Sequence, residues 1–61
     1  MEDLTIEELQ NIVKLIKYND TLYQKLNNYS SNCVDPQIKQ MLTKAAQDSL
    51  NTRQKLKSFL N

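Results

Sequence analysis

The fold is decided by the stretch CVDPQI, residues 33–38, because it lies where two long helical patterns are interrupted. Asp35 has a short carboxylate that accepts hydrogen bonds from the free backbone N–H groups of a helix start. Pro36 has a fixed φ and no N–H, which suits the first position of a helix. The stretch therefore predicts that one helix ends before it and a second helix begins at Pro36.

The first helix is predicted over residues 6–29. Thr5 and Glu8 have the spacing of a capping box, in which each side chain bonds the backbone N–H of the other residue. Apolar residues then recur every three or four positions, as on a helix. They form two neighbouring lines, one of Leu9, Ile12, Ile16, Tyr23 and Leu26 and one of Leu15, Tyr18, Leu22 and Tyr29. We expect this apolar surface to be too broad for one partner helix.

The second helix is predicted over residues 36–60, after a turn at residues 30–35 that is rich in Asn and Ser. The expected contact line with the first helix consists of Ile38, Leu42, Ala45, Ser49, Thr52, Leu56 and Phe59. Folding back at the turn places Tyr18 and Tyr23 opposite residues 42–46, so that large side chains would meet small ones. A second strip, formed by Met41, Ala46, Leu50 and Leu60, is expected to point toward another surface.

These patterns predict an all-α fold, an antiparallel two-helix hairpin in a single domain of residues 1–61. A second apolar surface favours dimerisation into a four-helix bundle, and a symmetric homodimer is the commonest closed oligomer. The predicted interface residues are Leu15, Tyr18, Leu22, Tyr29, Met41 and Leu50. A helix pair from a different protein is the alternative partner.

The charges also favour an antiparallel arrangement. Five acids and three lysines in residues 1–32 leave a balance of −2, whereas two acids and five bases in residues 33–61 leave +3. We therefore expect Glu7 and Glu8 to come level with Lys57. Exposed ion pairs of this kind contribute only about 0–1 kcal/mol each, so they indicate orientation and little stability.

Composition argues against several function classes. The chain has no Gly and no His. Its net charge is +1, and its sequence has no cluster of basic residues of the kind that binds nucleic acid. No apolar run is long enough for a membrane span, and the acidic start at residues 1–3 is unlike a secretory signal, so a cytoplasmic location is expected. Without His, neither a metal site, a cofactor nor a catalytic centre is predicted.

Two residue types leave alternatives open. The lone Cys33 is expected to be a reduced thiol, and a disulfide across a symmetric dimer is the alternative. Tyr18, Tyr23 and Tyr29 recur at roughly helical spacing. They are expected to belong to the amphipathic core with hydroxyls at its edge, and an aromatic ligand slot is the alternative.

The segment DPQIKQML, residues 35–42, follows a helix that carries Tyr18 and Tyr23. This arrangement resembles the hairpin of bacterial spore-coat proteins of the coat F type, in the ferritin-like superfamily, over residues 9–60. The resemblance implies a small sporulation-associated protein of a Gram-positive bacterium, located in the cytoplasm, forespore or spore coat. It implies a bundle scaffold without metal, since no iron-ligand residues are present, and one chain supplies half a bundle.

A second family of small hairpins, the sporulation aspartyl-phosphate phosphatases, has a Ser-Gln-x-Leu-Asp signature. The nearest segment here is AQDSL, residues 46–50, which lacks the first Ser and has a different order. Gln47 and Asp48 would orient a water molecule in that interpretation. The favoured hypothesis is a non-catalytic structural or interaction module, and the alternative is a phosphatase-like regulator acting on a response regulator.

Overall fold

The computed structural model describes residues 4–60, and that part of the chain forms an antiparallel α-helical hairpin. Helix α1 spans Ile6–Ser31 and helix α2 spans Pro36–Ser58. Asp20 and Ser30 of α1 contact Arg53 and Thr43 of α2, so the two helices run in opposite directions. The predicted all-α hairpin is confirmed, whereas the acidic start at residues 1–3 lies outside the described residues.

The capping box at the start of α1 is confirmed. The Thr5 N–H donates to Glu8 Oε1 at 2.9 Å, and the Glu8 N–H donates to Thr5 Oγ1 at 3.0 Å. At its other end α1 continues past residue 29 to Ser31. The N–H and the side-chain amide of Asn32 both donate to the Asn28 carbonyl oxygen, so the polar residues here extend the helix.

The start of α2 is also as predicted. Asp35 Oδ1 accepts hydrogen bonds from the N–H groups of Gln37 at 2.8 Å and Ile38 at 3.1 Å, with Pro36 as the first helical residue. The helix ends at Ser58, before the expected residue 60. Phe59 and Leu60 instead donate to carbonyl oxygens three residues back, which tightens the last turn.

The surface between the two helices, here called the interhelix seam, is lined by residues that are buried or half-buried. On α1 they are Leu9, Ile12, Ile16, Asn19, Tyr23, Leu26 and Ser30; on α2 they are Leu42, Ala46, Ser49, Arg53 and Leu56. The apolar line predicted for α1 is therefore confirmed, with the polar Asn19 and Ser30 at the intervening positions.

The contact line predicted for α2 is wrong in part. Ile38, Thr52 and Phe59 are exposed, whereas Ala46 is only 1% exposed and belongs to the seam. The expectation that Ala46 points toward another surface is thus wrong. Small side chains at Ala46 and Ser49 let the helices approach closely, and the ion pair of Arg53 with Asp20 turns this side of α2 toward α1.

The hairpin is long and thin, with extents of 46 × 16 × 12 Å. Its radius of gyration of 14.3 Å exceeds the roughly 10.5 Å expected for a compact domain of this length. Ala46 is the one buried apolar residue among residues 4–60. No helix in the described part of the chain is long and apolar enough to cross a membrane.

Candidate protein-interaction face

Six of the ten large apolar side chains that are exposed within residues 4–60 fall into two rows with helical spacing. The row on α1 consists of Glu8, Asn11, Leu15, Tyr18, Leu22, Lys25 and Tyr29, and the row on α2 consists of Ile38, Met41, Ala45, Asp48, Thr52, Lys55 and Phe59. Positions alternate by three and four in both rows, so each row follows one side of its helix.

Both rows lie on the same side of the hairpin. A groove of about 320 Å³ at the open end is lined by Leu4, Glu8, Asn11, Ile12, Leu56 and Phe59. It joins the first two residues of the α1 row to the last residue of the α2 row. Since each row continues along its helix, the two rows together form one surface, here called the apolar face.

Large side chains on the apolar face are open to solvent. Met41 is 70% exposed and Tyr18 63%, and Leu15, Tyr29, Ile38 and Phe59 are each about half exposed. Leu22 and Ala45 are half-buried between them. A contiguous apolar surface on a small protein marks an interaction site more often than a free surface.

Most of the predicted interface residues lie on this face. Leu15, Tyr18, Leu22, Tyr29 and Met41 belong to its rows, but Leu50 does not. Leu50 follows Met41 by nine residues, which at about 100° per residue places it on the opposite side of α2. The apolar face also contains Ile38 and Phe59, which the sequence assigned to the contact between the helices.

The three tyrosines do not share one environment. Tyr18 and Tyr29 are exposed on the apolar face, whereas Tyr23 is half-buried in the interhelix seam. They therefore neither line a common slot nor all belong to the core of the hairpin. Tyr23 alone has the predicted core position.

Three polar side chains in the interhelix seam have hydrogen-bond partners within the chain. The Ser30 hydroxyl lies 2.7 Å from Thr43 Oγ1 across the seam, and the Asn19 side-chain amide donates to the Leu15 carbonyl oxygen at 2.8 Å. Ser49 Oγ donates to the Ala45 carbonyl oxygen at 3.1 Å. The Asn19 and Ser49 bonds lie within one helix, whereas Ser30 also donates to the Lys39 carbonyl oxygen at 3.3 Å, so the contacts of Ser30 are the ones that help to align the two helices.

An ion pair joins the helices at the edge of the seam. Arg53 Nε lies 2.8 Å from Asp20 Oδ1, but its N–H bond is not directed at that oxygen, so the contact is an ion pair without an aligned hydrogen bond. Asp20 is half-exposed, which limits the contribution of the pair to stability.

The predicted pairing of Glu7 and Glu8 with Lys57 is not formed. Within residues 4–60 the ion pairs are Asp20–Arg53 and the exposed Lys44–Asp48 at 3.6 Å. Glu8 is instead held by Thr5. The hydrogen bond from the Thr5 N–H, with a smaller effect of the Thr5 side chain, lowers the pKa of the Glu8 carboxyl below its ordinary value.

Residues singled out for possible chemistry are engaged in local contacts. Cys33 is a half-buried free thiol whose Sγ lies 3.6 Å from the Asp35 carbonyl oxygen. Gln47 donates to Asn51 Oδ1 at 3.1 Å, and Asp48 pairs with Lys44. Among the described residues, no three Cys, Asp or Glu side chains are grouped as a metal site. The phosphatase hypothesis stays an untested alternative.

Comparisons with models of protein families, with curated proteins and with solved structures find no match to this chain.

Proposed function

We propose that the protein is a non-catalytic structural and interaction module that assembles through its apolar face into a homodimeric four-helix bundle. The observation that carries the proposal is the distribution of apolar residues. Six large apolar side chains are exposed on one side of the hairpin, and Ala46 is the buried apolar residue within residues 4–60. Burying the apolar face against a second layer of helices supplies the missing core.

The exposed area is of the size that a dimer requires. The chain exposes 4987 Å², whereas a compact protein of 7.2 kDa exposes roughly 4,100 Å². The excess of roughly 900 Å² is close to the ~800 Å² that each partner buries in a standard protein–protein interface. Binding of one second copy of the chain would therefore bury an area about equal to this excess.

The charges on the apolar face are compatible with self-association. Each row contains one acid and one lysine, Glu8 with Lys25 on α1 and Asp48 with Lys55 on α2. A second copy of the same face therefore offers an opposite charge for each of these residues. Like charges across an interface would oppose association, and a face with both signs avoids this.

The biological setting that we propose is sporulation. The similarity of residues 35–42 to spore-coat proteins of the coat F type supports it, because a ferritin-like protein contains four helices and two of these hairpins supply four. In the organism that encodes it, the protein should be present in coat extracts of purified spores and absent from vegetative cells. Equal amounts in vegetative cells would argue for a different setting.

Matched substitutions on the two sides of the hairpin test the dimer. Met41 on the apolar face and Ile6 outside it are 70% and 75% exposed, so Met41→Glu and Ile6→Glu disturb the single hairpin equally little. In a dimer, Met41→Glu buries a charge, and we expect sedimentation equilibrium to show self-association weakened by at least about tenfold, or ~1.4 kcal/mol. Equal self-association of the two variants would contradict this face as the interface.

A further inference from the structure

A second exposed groove lies on the side of the hairpin away from the apolar face. It has a volume of about 380 Å³ and is lined by Ile6, Leu9, Gln10, Val13, Lys14 and Lys17. Ile6, Val13 and Asp20 are spaced by seven residues and so share one side of α1. Asp20 pairs with Arg53, which identifies the side of α2 that lies beside the groove.

The residues that line this groove are basic or uncharged, and the exposed Glu7, seven residues before Lys14, lies beside them on α1. Lys14 and Lys17 line it, and no acidic side chain does. Lys57 follows Arg53 by four residues and therefore lies on the same side of α2. Asp20, the acid nearest to Lys17 on this side, is paired with Arg53, and none of the three lysines forms an ion pair with any residue in the range 4–60.

We propose that this groove, here called the basic groove, binds an acidic amphipathic helix of another protein. Ile6, which is 75% exposed, Val13 and Leu9 offer an apolar floor for the partner's apolar side chains. Lys14, Lys17 and Lys57 offer cations for the carboxylates that flank them. Residues 6–17 span roughly 17 Å along α1, enough for about three turns of a bound helix.

Charge distinguishes this partner from a second copy of the chain. Two basic grooves facing each other would bring lysines together, which opposes association. The apolar face, in contrast, has charges of both signs. The basic groove points away from the apolar face, so its occupancy does not depend on the dimer, and a dimer presents one groove on each outer side.

The test uses the full chain and a synthetic peptide of about 14 residues, with Leu at i, i+3, i+4 and i+7 spacing and Glu at the flanking positions. A control peptide has Lys in place of every Glu. In methyl NMR titrations we expect the acidic peptide to shift the methyl signals of Ile6 and Val13 and to leave Ile38 unchanged. The basic peptide should bind at least about tenfold more weakly.

Charge reversal supplies a matched pair of variants. Lys14→Glu with Lys17→Glu should weaken binding of the acidic peptide by about tenfold or more, since it removes both groove cations. Lys39→Glu with Lys44→Glu makes the same change in net charge near the turn and should leave binding within about twofold. The solution mass of both variants should equal that of the unchanged protein, which separates this test from that of the dimer.

Four results would overturn the proposal, three of them in the peptide experiments. These are equal binding of the two peptides, equal weakening by the two charge-reversed variants, and shifts confined to Ile38 and Met41. A fourth is a response of Ile6 and Val13 to phosphatidylglycerol vesicles but not to the acidic peptide. That result would assign the basic groove to an anionic membrane surface.

Discussion

In most small domains the large apolar side chains are buried between the helices, whereas in this hairpin the interhelix seam buries small and polar residues and the apolar face exposes large ones. The fully buried residues of the seam are small or polar, among them Ala46, Ser49 and Ser30, whereas its large apolar side chains are only half-buried. The apolar face contains large side chains such as Tyr18 and Met41, which are mostly exposed. Alignment of the helices is therefore set inside the hairpin, whereas most of its unused hydrophobic driving force lies outside it.

This difference is the reason for our proposal that a chain of 61 residues has a partner. Polar contacts such as Ser30–Thr43 contribute about 1 kcal/mol each and specify geometry more than stability. A domain of this size that buries few large side chains is marginal alone. The following predictions test whether the two surfaces behave as differently as this account requires.

The largest effect is expected from overfilling the seam. Ala46→Leu adds bulk at the most deeply buried residue of the seam, and it should lower the free energy of unfolding by about 1–3 kcal/mol. Gln47→Leu places the same side chain on the exposed side of α2 and should change it by less than about 0.5 kcal/mol. Urea unfolding followed by far-UV circular dichroism measures both, and equal effects would show that Ala46 is not a close contact.

An intermediate effect is expected from the ion pair at the edge of the seam. A double-mutant cycle with Asp20→Asn and Arg53→Gln should give a coupling energy of about 0.5–1 kcal/mol, because Arg53 is largely covered by α1. The same cycle on the exposed Lys44–Asp48 pair should give about half that value or less. Equal coupling energies would mean that the Asp20–Arg53 contact does not help to align the helices.

The smallest effect on stability is expected from protonation of Glu8 at the start of α1. The pKa of Glu8 is lowered by its hydrogen bonds with Thr5, so its stabilising effect is present above the ordinary pKa near 4.5 and is lost as the pH falls through the lowered value. The protection factors of the Glu8 and Leu9 amides against hydrogen exchange, which correct for the intrinsic pH dependence of exchange, should therefore fall under acidic conditions. Glu8→Gln keeps a capping partner without titrating, and an identical acid response in this variant would contradict the assignment.

Local signals in the sequence were sufficient to predict the two helices and the residues at which they begin. Thr5 with Glu8, and Asp35 with Pro36, each act within a few residues, so their chemistry predicts structure directly. The apolar line of α1 was predictable for the same reason. The broad apolar surface, with Leu15, Leu22 and Met41, was also recognisable from spacing.

Contacts across the seam were less predictable because they depend on the rotation of α2. Ala45 and Ala46 are both small, so spacing alone does not show which one faces α1. The Asp20–Arg53 pair and the burial of Ser49 favour a rotation that buries Ala46 and exposes Ile38 and Phe59. Arg53, a charged residue, gave no sequence signal for a seam position, since arginines on helices are usually solvated.

The most direct test of the central claim is the solution mass of the protein, measured by light scattering across a dilution series in reducing buffer. Reducing conditions exclude a dimer held only by Cys33. We predict a mass of twice the 7.2 kDa of one chain at high concentration, and loss of helicity together with mass on dilution. A fully helical protein of 7.2 kDa at every concentration would contradict the account, because the hairpin would then be stable with its apolar face uncovered.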